Sequence, residues 1–248
     1  MRIHTFDSEN QLARALAERV AATLRERPST VLGLATGRTP ISTYKELRRL
    51  HAEGKVSFAQ ASTFNLDEFV GIDATHTGSF RYYMEEHLFG GIDLEPRRIH
   101  FLNGVAPDLD AECMRYERDI EAAGGIALQL LGIGTNGHIG FNEPGDELVA
   151  LTHRVTLHAG TRRDNAEPFG GDPDRVPREA LSMGMATILK TGTVVLIATG
   201  ERKAQCVERM VHGPLTTRLP ASFLQTHRSV ELYLDTAAAS LLSAEERS

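Results

Sequence analysis

A histidine and a glutamate five residues apart, His138 and Glu143, sit in the stretch L-G-I-G-T-N-G-H-I-G-F-N-E-P-G that runs from Leu131 to Gly145. Held off a rigid strand, such a pair can move protons at neutral pH, because imidazole titrates there and a carboxylate can support its cation. The glycines at 132, 134, 137 and 140 allow turn conformations and let a ligand approach the backbone closely. A lone histidine is more often a satisfied structural group. Here the dense glycines and the absence of an apolar stripe favour chemistry.

Three further segments carry candidate groups. Thr36, Gly37, Arg38 and Thr39 precede Pro40, and backbone N–H groups at a helix start with two hydroxyls and a guanidinium form a natural phosphate cradle. An ordinary strand-to-helix turn capped by Thr39 explains them equally well. In F-N-L-D-E-F-V-G, Asp67 and Glu68 are adjacent; strand neighbours face opposite ways, so one of them at most meets a ligand. Taken alone, that segment reads better as a solvated strand end with the Asp capping a helix. Lys203 stands in the first turn of a helix after A-T-G-E-R-K, where a cation opposes the macrodipole but suits an anion; a solvent-facing lysine is the bland alternative. The other scattered histidines, His153 and His158 among them, read as surface or packing residues.

The elements that position these groups alternate. Strands are expected at Ile3–Phe6, Val31–Ala35, Ser62–Leu66, Ile126–Ile133, Thr193–Thr199 and Val230–Leu234. A helix with the stripe Leu12, Leu16, Val20 and Leu24 opens on a Ser8/Gln11 capping box. Others carry Ile41, Tyr44 and Leu47 behind Pro40 or span Ala111–Ala122, Glu201–Val211 and Thr236–Ala244, while 160–177 reads as a loop-rich excursion. Short apolar strands alternating with amphipathic helices imply a single-domain, Rossmann-like α/β fold over 1–248: a mostly parallel sheet covered on both faces. In such sheets ligands bind beyond the carboxyl ends of the strands, where all four segments fall.

The chain has 248 residues, 41% of them hydrophobic, enough for one large core. Its net charge is −6 and no run of Lys or Arg exceeds two residues, which argues against nucleic acid as a partner. The N-terminus lacks a signal-peptide core and no apolar run reaches membrane-spanning length, so a cytoplasmic location away from membranes is expected. Cys113 and Cys206 fit no metal or redox spacing. The residues alone lead to a cofactor-free, metal-free enzyme acting on a phosphorylated polyol or sugar. Assembly stays open; Leu241 and Leu242 suit packing on the domain or on a second copy.

These segments resemble the glucosamine-6-phosphate deaminase/isomerase family from Val31 to about Asp235. The likeness rests on V-L-G-L-A-T-G-R-T-P, F-N-L-D-E-F-V-G, S-F-R-Y-Y-M, L-N-G-V-A-P-D, L-L-G-I-G-T-N-G-H-I-G-F-N-E-P-G, the T-R-x-x-N of Thr161–Asn165, V-P-R-E-A-L-S-M-G and P-A-S-F-L. The resemblance implies conversion of glucosamine 6-phosphate to fructose 6-phosphate and ammonia. Asp67 would move a proton between C2 and C1, His138 would assist ring opening with Glu143, and Thr36–Thr39 with Lys203 would hold the phosphate. Alternatives are galactosamine 6-phosphate as substrate, 6-phosphogluconolactonase activity, and a non-catalytic sugar-phosphate sensor.

Three positions depart from the family pattern. Asn136 replaces an aspartate found in some members and is expected to accept a hydrogen bond from the imidazole of His138. Glu167 stands where a phosphate-binding arginine is usual, leaving Arg163 or Arg38 to supply that charge. Asp146, His153 and Val155 replace the serine, arginine and lysine of allosterically activated members.

Overall fold

The computed structural model describes residues 1–247. Its first helix shows how local chemistry sets the elements. After strand β1 (Arg2–Phe6), the Ser8 hydroxyl accepts from the Gln11 N–H at 3.3 Å and opens α1 (Glu9–Glu26). The Gln11 side chain reaches back to the Asp7 N–H at 3.1 Å, one residue beyond the usual box. Leu12, Leu16, Val20 and Leu24 then line the buried face. Strand β2 (Val31–Leu34) leads to α2 (Ile41–Ala52). Pro40 occupies the capping position with no side-chain hydrogen bond, so Thr39 does not cap this helix. Its hydroxyl and that of Thr36 make no hydrogen bond among the described residues.

The chain continues through β3 (Ser62–Asn65), β4 (Asp67–Phe69), α3 (Phe80–His87), β5 (Ile99–His100), α4 (Leu109–Ala122), β6 (Leu128–Gly132), β7 (His153–Thr156), α5 (Ala159–Asp164), β8 (Glu179–Ser182), α6 (Met185–Leu189), β9 (Thr193–Ala198), α7 (Ala204–His212) and β10 (Val230–Asp235). Seven strands form one sheet in the order β1-β10-β9-β6-β2-β3-β5, every neighbouring pair parallel. Residues of α1, α2 and α3 cover one face, and residues of α4, α6 and α7 the other. From β2 the chain proceeds to β3 and β5 on one side, then returns to β6 on the other. That reversal opens a crevice between the carboxyl ends of β2 and β6.

A second, antiparallel sheet, β4-β8-β7, was not foreseen; its strands have three or four residues each and too little alternation to announce themselves. Beneath it lies a separate cluster of Phe69, Phe80, Phe141, Leu157, Ala166, Phe169, Val176 and Ala180. The stretch 160–177 is accordingly more structured than an excursion, with most of α5 and a 3-10 turn at Glu167–Phe169. The helix expected over Thr236–Ala244 is absent. Successive turns replace it, with i→i+3 bonds from Ser240 to Ala237 and from Leu242 to Ala239; Asp235 caps the first by accepting from the Ala238 N–H at 2.7 Å, and the path taken packs Ala238, Ala239 and Leu242 into the core. Leu242 packs in the core and Leu241 faces outward. Among the described residues no helix is long and apolar enough to cross a membrane.

Glu68 ties the small sheet to the large one. It is buried on β4 and accepts from the Phe69, Phe80 and Arg81 N–H groups at 2.8, 3.0 and 3.0 Å and from the Ser79 hydroxyl at 3.1 Å. These donors surround the N-terminus of α3, where a negative charge is favoured. A Glu68→Gln variant, whose amide turns one acceptor into a donor facing donors, should lose about 2–4 kcal/mol of stability in urea titration.

Candidate active site

Asn136, His138 and Glu143 meet in the turn that follows β6. The Asn136 amide nitrogen donates to Glu143 Oε2 at 2.9 Å, and its oxygen accepts from the backbone N–H of His138 at 3.2 Å. Asn136 therefore does not serve the imidazole, as the sequence had led us to expect; it fixes the glutamate and the loop. His138 Nδ1 is 3.5 Å from Glu143 Oε2, an ion-pair distance at which neither atom gains a well-aligned hydrogen bond. The ring packs against Gly134, where a Cβ would fall 2.3–2.6 Å from three ring atoms. A side chain there would push the ring from this position.

Two more residues reach Glu143. The Thr161 hydroxyl donates to Oε1, and His158 Nδ1 lies 3.8 Å from Oε2. His158 is exposed, as expected, and stands beside the site. Burial pushes the Glu143 carboxyl up, but His138, the Thr161 hydroxyl and the Asn136 amide outweigh it and hold the group down at about 2. The carboxylate is ionised at every physiological pH. With His138 hydrogen-bonded so poorly, we assign most of that effect to Thr161 and Asn136.

Asp67 is the opposite case. It starts β4 opposite Ser182 of β8, faces away from Glu68, and is 6% exposed. A Cβ built on Gly140, which has φ +57°, would stand 3.1 Å from Ser182 Oγ and 3.6 Å from Asp67 Oδ2, so the His138 loop passes directly over the aspartate. Ser182 Oγ accepts from the Phe141 N–H at 3.0 Å, and Asn142 donates to the Ile139 and Met183 carbonyls at 2.8 Å each. These bonds bind the loop to β8. The Asp67 carboxylate accepts no hydrogen bond among the described residues. Burial first, and the nearby Glu68 second, push it up to about 8.

The remaining candidates ring the same edge of the sheet. Thr36, Gly37, Arg38 and Thr39 follow β2, and the Gly37 carbonyl accepts from the Tyr83 hydroxyl at 2.6 Å. Lys203 follows β9 in a 3-10 turn ahead of α7. Its ammonium donates to the Ile133 carbonyl at 2.7 Å, at the root of the His138 loop, and burial lowers its affinity for a proton. Arg38 and Arg163 line one cavity of about 640 Å³ together with Ile41, Ala166, Glu167 and Gly171. Thr161 and Ser182 both stand in motifs visible in the sequence, T-R-x-x-N and V-P-R-E-A-L-S-M-G; neither was given a role, because their partners Glu143 and Asp67 come from segments distant in the chain.

The family model for glucosamine-6-phosphate isomerases and 6-phosphogluconolactonase matches residues 6–233. A glucosamine-6-phosphate deaminase of Giardia intestinalis is 48% identical over 89% of this chain and 83% of its own. One from Halothermothrix orenii is 45% identical over 98% and 100%. Among solved structures, a monomeric glucosamine-6-phosphate deaminase superposes with a TM-score of 0.93 at 42% identity, covering 97% of this chain and 100% of its own. The 6-phosphogluconolactonase of Trypanosoma brucei gives a TM-score of 0.72 at 20% identity over 98% of each chain, a likeness of fold alone.

The state of Asp67 predicts a stability signature. An unfolded aspartate ionises near pH ~3.9, so a carboxyl raised on folding contributes fully below that pH and loses its contribution as pH climbs toward about 8. Asp67→Asn should therefore melt above the wild-type protein at pH 9, by a few kcal/mol in stability, with the gap closing near pH 4. Thermal melts across that range measure it.

Proposed function

The chain belongs to the glucosamine-6-phosphate isomerase/6-phosphogluconolactonase family, and from that premise we propose how its residues perform the deaminase reaction, converting glucosamine 6-phosphate and water to fructose 6-phosphate and ammonia. The observation that carries the reading is a pair of carboxyls with opposed environments beside one loop, Glu143 held ionised at about 2 and Asp67 raised to about 8. Such separation marks two acid–base roles. Hydrolysis of a lactone has no use for the second of them.

The phosphate is held by Thr36–Thr39, Arg163 and Lys203 at the β2/β6 crevice, which orients the sugar over the His138 loop. His138, backed by Glu143, transfers a proton to the ring oxygen as the pyranose opens. Ring opening must come first, since only the open aldehyde acidifies the C2–H bond. Asp67 takes the C2 proton and returns it to C1, while a proton passes from the C2 nitrogen to O1, so that the C1 aldehyde becomes an alcohol and the C2 amine an imine. Water adds to that imine, and ammonia departs as the ketone forms. A buried carboxylate with no donor around it is a stronger base than a hydrated one, which suits it to a carbon acid. All these residues lie in one chain, so the chemistry asks for no second copy, though a homo-oligomer is compatible with it. We place the reaction in the cytoplasm, where phosphorylated sugars are retained.

Ammonia and fructose 6-phosphate should both appear from glucosamine 6-phosphate, and Asp67→Asn should cut kcat by at least about a thousandfold without unfolding the protein. Acid release from 6-phosphogluconolactone without ammonia from any hexosamine phosphate would instead make it a lactonase; the same assay with galactosamine 6-phosphate decides the epimer. Because the ionised aspartate is the active base, kcat/KM should rise with pH and level off above about 8.

The positions that bind phosphate effectors in activated relatives are unsuited to an anion. Asp146 pairs with Arg218, and His153, turned to the Leu151 carbonyl at 3.0 Å, is driven toward its neutral form by burial. Saturation should be hyperbolic, and N-acetylglucosamine 6-phosphate should leave the curve unchanged in steady-state assays.

A further inference from the structure

The cavity beside the phosphate end holds an acid where an anion is to bind. Arg38 Nη2 lies 3.1 Å from Glu167 Oε2, and both side chains are largely exposed, at 80% and 76%. Arg163 lines the same cavity with no ion pair among the described residues. One guanidinium is therefore occupied by an internal carboxylate and the other is free.

Glu167 is not placed there by a mobile loop. Its 3-10 turn is anchored two residues on by Phe169, which is 4% exposed, meets Phe69 edge-on at 5.7 Å and stacks on His76 at 5.5 Å. A Cβ on Gly78 would fall 2.3 Å from the Phe169 ring, so that glycine makes the seat for it. Ala166, on the other side of Glu167, is buried as well. Arg38 is held from its own side, since it follows Gly37, whose carbonyl is bound by Tyr83. Two rigid segments thus bring the carboxylate and the guanidinium together across the cavity.

We propose that Glu167 is an intramolecular stand-in for the substrate's phosphate: its carboxylate occupies Arg38 in the free protein and is displaced when a phosphate dianion bridges Arg38 and Arg163. The inference rests on reading this end of the sheet as the phosphate end. Glu167 then sets specificity. A dianion offers the two guanidinium groups more charge than a single carboxylate does and wins the exchange, whereas a singly charged sugar acid competes on equal terms and gains little. The pair is exposed and therefore weak, so the exchange costs little. It lowers the affinity for phosphate esters without abolishing it.

The test is calorimetric titration of inorganic phosphate, with KM for glucosamine 6-phosphate measured alongside, on the wild-type protein, Glu167→Gln, Arg38→Gln and the double variant. Removing the competing charge should tighten phosphate binding and lower KM by about three- to tenfold, with kcat within twofold. Arg38→Gln should weaken both, and in its background the Glu167→Gln gain should shrink by at least half, since the competition is for Arg38. An unchanged phosphate affinity in Glu167→Gln, or a gain that persists in full without Arg38, overturns the proposal. Glu167→Ala separates loss of charge from any new contact made by the amide and should agree in direction. If the wild-type protein releases no ammonia, the deaminase reading fails while the phosphate titration still decides the role of Glu167.

Discussion

Two adjacent carboxylates open β4, the edge strand of the small sheet, just beyond the end of β3, and the pleat of the strand sends them to opposite sides. Everything about the site follows from how differently those sides receive them. Glu68 finds four donors, which offset part of the upward push that burial gives its carboxyl, and fastens the N-terminus of α3 to the small sheet. Asp67, one residue earlier, is buried against Gly140 and Ser182 and finds none. The first acid is a structural clamp and the second an uncompensated base. Because Glu68 is pinned, β4 cannot rotate to let Asp67 reach solvent. The stability given up at Asp67 is held in place by the bonds at Glu68, which is how a fold keeps a destabilising group where chemistry needs it.

The reversal of strand order between β2 and β6 supplies the second requirement, a crevice into which several turns open at once. The turns after β9, β6, β2 and β3 lie side by side because those four strands are consecutive in the sheet. Lys203, from the first turn, donates to Ile133 at the base of the second, so the turn proposed to hold the phosphate and the His138 loop are mechanically one unit. The small antiparallel sheet completes it. Its strand β8 holds the His138 loop through Ser182 and Asn142, while the aromatic cluster under it fixes the 158–170 segment that delivers Thr161 to Glu143 and Glu167 to Arg38.

The parallel sheet was legible in the sequence because its inner strands are dominated by buried apolar residues, unbroken in Val194–Ala198 and interrupted by one polar residue in β6 and β10. Loop chemistry was legible for the same kind of reason: His138, Glu143 and Asn136 are neighbours in sequence as well as in space. What could not be read is whatever arises from pairing across the chain. Ser182 meets Asp67 through an antiparallel register set by tertiary packing, and β4, β7 and β8 are too short and polar to show a period of two. Asn136 was given the wrong partner for another reason: its bond to the imidazole was carried over from the aspartate that some family members hold there, while the turn aims its amide at Glu143. At the C-terminus, Asp235 caps the following turn as it would cap a helix, yet the alanines continue as separate turns that pack Ala238, Ala239 and Leu242 into the core, a tertiary fit that overrides local propensity.

The asparagine at 136 now has a physical explanation that does not depend on the histidine. Glu143 Oε2 already faces two imidazoles and is held ionised, and Asn136 places an N–H donor 2.9 Å from that oxygen. An aspartate in the same rotamer would set a second carboxylate oxygen at that distance. It could satisfy the contact only by carrying a proton or by turning toward the imidazole, and turning would surrender the bond to the His138 backbone that shapes the loop. With asparagine, Glu143 alone provides the negative charge behind His138, and its own position is secured by two neutral donors, Thr161 and Asn136. Charge is concentrated on one carboxylate and geometry is entrusted to neutral groups, so in the proposed ring opening the supporting frame of His138 need not move.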